Sequence, residues 1–207
     1  MIFKQIIKSI LAGICIGIGG LAYLSIPDKI VGSLFFTIGL FTILTLDLNL
    51  FTGKLCYVIE KKNYIEVLVT LMGNFVGTLL ISTIVQFTRL DALLQKADTI
   101  VNIKLNDNLL SLFLLAILCN MLIYIAVEGF KNFEGFNKIL ALFFGVSVFV
   151  ICGFEHSVAD MFYFTLVKCF NWQMLLRLSI IIAGNIIGGL GMRLLHNYIK
   201  GNKNEKV

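Results

Sequence analysis

Long apolar runs separated by short polar breaks dominate the chain. Six runs reach the roughly 20 residues that a bilayer crossing requires: about Ile6–Ile26, Ile30–Ile59, Tyr64–Phe87, Leu109–Val127, Ile139–Val167 and Trp172–Leu195. The breaks are Ser25–Lys29, Glu60–Asn63, Thr88–Asn108, Glu128–Lys138 and Lys168–Asn171. The second and fifth runs are too long for one simple span, and each is interrupted by polar residues. Asp47-Leu48-Asn49-Leu50-Phe51-Thr52-Gly53 interrupts one, and Gly153-Phe154-Glu155-His156-Ser157 the other. Lys4 and Lys8 precede the first run, but no small-residue cleavage site follows, so it is expected to be a retained helix and not a signal peptide.

The pattern also echoes itself. Gly73-Asn74-Phe75-Val76-Gly77 in the third run returns as Gly184-Asn185-Ile186-Ile187-Gly188 in the sixth, each downstream of an interrupted run. Three spans per half is an odd number, so the halves (about 1–87 and 105–200) must face opposite ways across the bilayer. The expected architecture is an all-α integral membrane protein with six transmembrane helices in an inverted repeat, the second and fifth broken. It forms a single domain over 1–207, with residues 201–207 as a polar cytoplasmic tail. Matching interruptions in an inverted repeat point to a transport path, because irregular backbone at membrane depth survives only against protein or a water-filled cavity.

Composition agrees with the pattern. The chain is 58% hydrophobic and 14% charged with a mean hydropathy of +0.94, against about 45–50% and 25% for soluble domains. A soluble enzyme is excluded. The net charge of +5 reads as topology and not as nucleic-acid binding: with the N-terminus inside, eleven of the 17 Lys and Arg fall on the cytoplasmic side. Both termini are therefore expected in the cytoplasm of a cell whose inner membrane holds the protein. Gly13, Gly17, Gly19 and Gly20 lie inside a membrane run, where close helix packing explains them better than a dinucleotide loop. The five cysteines form no close pair and read as small buried hydrophobes, with no disulfide frame, metal site or cofactor expected.

The interruptions carry the chemistry. Glu155 and His156 lie far from either polar flank, where an ionisable group is costly and usually functional. Neutral imidazole donates and accepts, and its cation can greet an anion and pass on a proton. The alternative is a histidine that merely pins the break through a backbone bond. Glu155 is expected to tie down exposed backbone N–H groups, Asp47 to satisfy loop backbone, and His196 to be solvated at the basic C-terminal flank. Phe36, Leu40, Leu50, Phe51 and Phe149 lie near the breaks, where large apolar side chains can form dry constrictions. Taken singly, each is better read as ordinary lipid or helix packing. One Glu-His pair supplies neither a metal triad nor a nucleophile with its base, so a membrane enzyme is not expected.

These segments together resemble the formate/nitrite transporter family. Leu50-Phe51-Thr52-Gly53 is similar to its first-half loop motif, and Leu118-Cys119-Asn120 to its fourth-helix segment. The string from Gly153 to Phe162 matches its fifth-helix signature, and Gly184-Asn185-Ile186-Ile187-Gly188-Gly189 its sixth-helix motif. The resemblance implies an aquaporin-like protomer with its own pore, assembled as a homopentamer. It also implies passage of small monovalent anions (formate, nitrite or hydrosulfide), coupled in some conditions to protons. His156 is then the central pore residue, Thr52 and Asn185 its hydrogen-bonding neighbours, and Asn120 lies close by. Lys104 falls where the family draws anions toward the vestibule, and the five apolar residues above fall at its constrictions. The chain departs from the family pattern at Asn49, usually Glu, and at Asp160, usually Asn. On a helix, Asp160 sits one turn from His156 and is expected either to favour the charged imidazole or to repel anions. A neutral-solute pore and a non-transporting membrane sensor or scaffold are the alternative functions.

Overall fold

The computed structural model describes residues 2–204, so the end of the expected polar tail, 205–207, lies outside the described residues. Eleven helices follow in order: α1 (Ile2–Ser25), α2 (Lys29–Phe36), α3 (Ile38–Thr45), α4 (Phe51–Leu55), α5 (Val58–Lys61), α6 (Tyr64–Gln86), α7 (Asp91–Asn106), α8 (Leu109–Asn132), α9 (Gly135–Cys152), α10 (Ser157–Leu166) and α11 (Trp172–Asn204). Five of them (α1, α6, α8, α9 and α11) are long and apolar enough to cross a membrane. Large apolar side chains such as Leu68, Met72, Leu110 and Leu114 are exposed on their outer faces, as suits lipid or a neighbouring copy. The chain is a multi-pass membrane protein.

The run Ile30–Ile59 is in four pieces, α2 to α5. The Asp28 carboxylate starts α2 by accepting from Val31 N at 2.8 Å. Asp47 then turns the chain at φ 51°, and an extended Leu50 re-enters as the residue before α4. The Asp47 side chain reaches Lys8 at 2.5 Å instead of the loop backbone expected for it. The fifth run breaks once. Gly153 ends α9 at φ 70°, a left-handed conformation that favours glycine. Phe154 N then donates to the Phe149 carbonyl at 2.9 Å, which closes the helix end.

The polar stretch Thr88–Asn108 holds a helix that hydropathy does not announce. In α7 the buried residues are Leu93, Ala97, Val101 and Lys104, a spacing that puts one face on the bundle. Arg177 on α11 donates to the Lys104 carbonyl at 3.0 Å, and Lys96 to the Leu24 carbonyl at 2.7 Å.

Two helix pairs approach most closely, α1 with α6 and α8 with α11, and the echoed glycines make that possible. A Cβ on Gly77 would lie 2.1 Å from the Ile10 carbonyl oxygen, and one on Gly188 would lie 2.2 Å from that of Ile117. Short α10 runs through the middle of the bundle with every residue buried, Phe162 and Phe164 among the largest.

Candidate functional site

The two interruptions meet in the interior, and one asparagine holds each. Asn74 Oδ1 accepts from Phe51 N at 2.8 Å, while its amide donates to the carbonyls of Ser9 and Asn49 at 2.7 and 2.9 Å. Asn185 repeats the arrangement: Oδ1 accepts from Ser157 N at 2.9 Å, and the amide donates to Ala116 and Glu155 carbonyls at 2.8 and 2.9 Å. Leu50 and His156 occupy the matching positions, both extended, with φ/ψ of −103°/129° and −109°/108°. Burial without these bonds would strand backbone groups at a cost of about 1–3 kcal/mol each. Asn74 was visible beforehand only as a member of the repeated Gly-Asn string.

His156 is 1% exposed. Its Nδ1 accepts the Ala159 amide hydrogen at 3.1 Å, so the neutral ring carries its proton on Nε2. That nitrogen is 3.0 Å from Thr52 Oγ1, the point where the two interruptions touch. Phe149 stacks on the imidazole at 5.4 Å, and Phe36 meets Phe149 edge-on at 5.8 Å. The expected bond between Asn185 and the His156 ring is replaced by bonds to the backbone on either side of it. Asn120 lies one step further out, donating to the Asn185 carbonyl at 2.7 Å and to that of Thr52 at 3.4 Å.

Glu155 does not tie down backbone N–H groups. Asn185 does so, and the Glu155 carboxylate turns to Lys104, with Oε2 2.5 Å from Nζ. Asp160 turns the same way instead of toward His156, placing Oδ1 2.8 Å from the same ammonium. Lys104 is 8% exposed and held between two carboxylates, so it is no free cation at a vestibule surface. Its pairing with Glu155 and Asp160 is seen only with α7 in place.

Cavities lie on either side of this centre. One, of about 210 Å³, is lined by Lys29, Lys104, Glu155, His156 and Asp160 beside Phe36 and Phe149. The other, of about 360 Å³, is lined by Leu40, Asn49 and Leu50, and by Lys54, Lys61, Lys131 and Lys138 with Asp47. Phe36 and Leu40, one turn apart along the α2–α3 segment, thus face different cavities, with Leu50, Phe51, Thr52 and His156 buried between. In the second mouth Lys131 lies 3.9 Å over the Tyr57 ring and Lys138 4.0 Å over Phe130. Nearby, Arg193 ties α11 to Glu60 through Nε and Nη2 at 2.7 and 2.9 Å, and reaches Glu128 at 3.2 Å. The Arg193 guanidinium holds the Glu60 carboxyl below the ordinary glutamate range. His196, expected to be solvated, bonds the Tyr124 hydroxyl.

A buried imidazole thus lies between two cavities, where two helix breaks meet within a helical membrane bundle. Residues 1–199 match the Formate/nitrite transporter family, and the chain belongs to it. It is 28% identical to the formate channel FocA of Haemophilus influenzae over 77% of this chain and 65% of that one. It is 29% identical to the formate-nitrite transporter of Plasmodium falciparum over 94% and 72%. The chain thus spans about two thirds of the length of these relatives. A solved pentameric formate channel with formate bound shares the fold at a TM-score of 0.82 and 24% identity, covering 96% of this chain and 98% of that one.

Proposed function

We propose that the protein is a pore for small monovalent anions such as formate, nitrite or hydrosulfide, that it carries weak acids with a proton, and that His156 is its central residue. The observation that carries this reading is the buried His156–Thr52 pair between the two cavities. Six crossings follow when α2–α5 and α9–α10 each count as one broken span beside α1, α6, α8 and α11. The matching bonds of Asn74 and Asn185 support the inverted repeat. The excess of basic residues on the side of the termini supports cytoplasmic ends in a cell membrane. Exposed apolar helix faces, and the pentameric assembly of the structural neighbour, support a homopentamer.

An anion entering between Phe36, Leu40, Leu50, Phe51 and Phe149 loses water it cannot replace from apolar walls. At the centre, the His156 Nε2–H and the Thr52 hydroxyl are donors able to take over part of that hydration. Protonation of the anion removes most of the remaining penalty, which favours conjugate bases of weak acids.

Purified protein in proteoliposomes tests the reading: flux of formate, nitrite, hydrosulfide, lactate and a neutral solute is compared at two pH values, for wild type and His156→Phe. Anion flux that rises at lower pH and disappears in an intact His156→Phe oligomer is expected. Unchanged flux in that variant sinks the role of His156. Flux indifferent to pH and charge would instead identify a neutral-solute pore, and no flux in intact oligomers a non-transporting protein.

A further inference from the structure

The Lys104 cluster has one carboxylate more than its cation balances. Asp160 and Glu155 are 1% and 4% exposed and both grip the same ammonium, at 2.8 and 2.5 Å. The second oxygen of Asp160, Oδ2, is buried with no hydrogen-bond partner among the described residues. A buried carboxylate oxygen left bare is expensive, and a net negative charge there more so. A proton cures both defects. Among the described residues, no cation besides Lys104 comes within 4.0 Å of the pair. Tyr23 from α1, Lys29 from α2, His156 at the break before α10 and Tyr163 from α10 line the same cavity, Cys119 lies behind on α8, and the Arg177 side chain is engaged on the Lys104 carbonyl.

His156 is poorly placed to store that proton itself. Its Nδ1 is occupied as the acceptor for Ala159 N, so a second ring proton would break the cap that starts α10. Asp160 is on the first turn of the same helix, its N–H donating to the His156 carbonyl at 2.9 Å.

Resting on the anion-pore reading above, we propose that Asp160 and Glu155 share one proton at neutral pH, and that this pair is the acid that protonates a weak-acid anion passing the centre. The carboxyl O–H bond breaks and an O–H bond forms on the carboxylate of a permeant such as formate. The neutral acid then crosses the apolar constriction and releases its proton to water on the far side, the dicarboxylate stays on Lys104, and a hydronium ion at the entry mouth restores the shared proton. Anions of strong acids gain nothing from the pair. The device makes acidity of the permeant, and not size alone, a determinant of passage.

Two measurements on the full-length oligomer decide it. Infrared difference spectra of wild type at neutral pH should show the carbonyl stretch of a protonated carboxyl, and both Asp160→Asn and Glu155→Gln should lose it, since each leaves one carboxylate per ammonium. In proteoliposomes, Asp160→Asn should lower formate flux about tenfold or more while nitrate, an anion too weakly basic to be protonated, passes as in wild type. Absence of the band in wild type overturns the proposal. So does equal loss of formate and nitrate flux in Asp160→Asn, which marks a purely structural residue. The infrared result needs no transport, so a wild type that carries no anion while keeping the band refutes the anion-pore reading and not the shared proton.

Discussion

The first and second interruptions of this protein share a backbone and differ in chemistry. Each offers a carbonyl and an amide on either side of one extended residue, and each is clamped by an asparagine one long helix further on. The clamped residue is Leu50 in one half and His156 in the other. Beside it, Asn49 stays within its own half, with its amide 3.4 Å from the Gln5 carbonyl, whereas Glu155 recruits Lys104 from α7. The two halves thus share their backbone clamps and differ in the residues that the clamps frame.

The largest effect is expected at the two asparagines. Asn74→Leu and Asn185→Leu each remove three bonds and strand the amide and the carbonyl at the break, at about 1–3 kcal/mol apiece, so both should lose several kcal/mol and much of the folded yield. Thermal unfolding of detergent-solubilised oligomer measures this, and a far milder loss at one position would break the equivalence. Thr52→Val should act more narrowly. It removes the hydroxyl that links the two interruptions while keeping the shape, at about 1 kcal/mol in stability. Anion flux should fall several-fold, as a lost donor at the centre requires, and unchanged flux would show that the link is dispensable.

The smallest effect lies at the ends of the interrupted segments. Segment α4–α5 is moored by the half-exposed Glu60–Arg193 pair, whereas the ion pair that holds α10, Asp160–Lys104, is buried. Because Glu60 titrates below its ordinary range when folded, its contribution is present at neutral pH and disappears as pH falls through that lowered value. Glu60→Gln should therefore lower the unfolding temperature slightly at neutral pH and not at all in strong acid. A difference that persists there would assign the effect to something other than charge.

Much of this was legible in the residues. The interruptions announced themselves because polar side chains in an overlong apolar run have few tolerable explanations. The Gly-Asn echo marked the clamps, although it did not say that Asn185 serves the backbone around His156 instead of the ring. What escaped was long-range and electrostatic. The partner of Glu155 lies 51 positions away, on a helix whose low mean hydropathy hid the spacing of Leu93, Ala97 and Val101. Asp160 likewise looked like a neighbour of His156 by helical spacing alone, and only the position of Lys104 draws it aside.

That helix has a practical consequence. Polar connections between membrane spans are the usual places to insert epitope tags, reporter domains or new cleavage sites. Here α7 is strapped to α1 through Lys96, to α11 through Arg177 and to α10 through Lys104. An insertion within Asp91–Asn106 would pull on three helices and on the charged cluster at once. The turn at Glu134–Gly135, where both residues are exposed and a Cβ on the glycine would meet nothing, is the place for a tag.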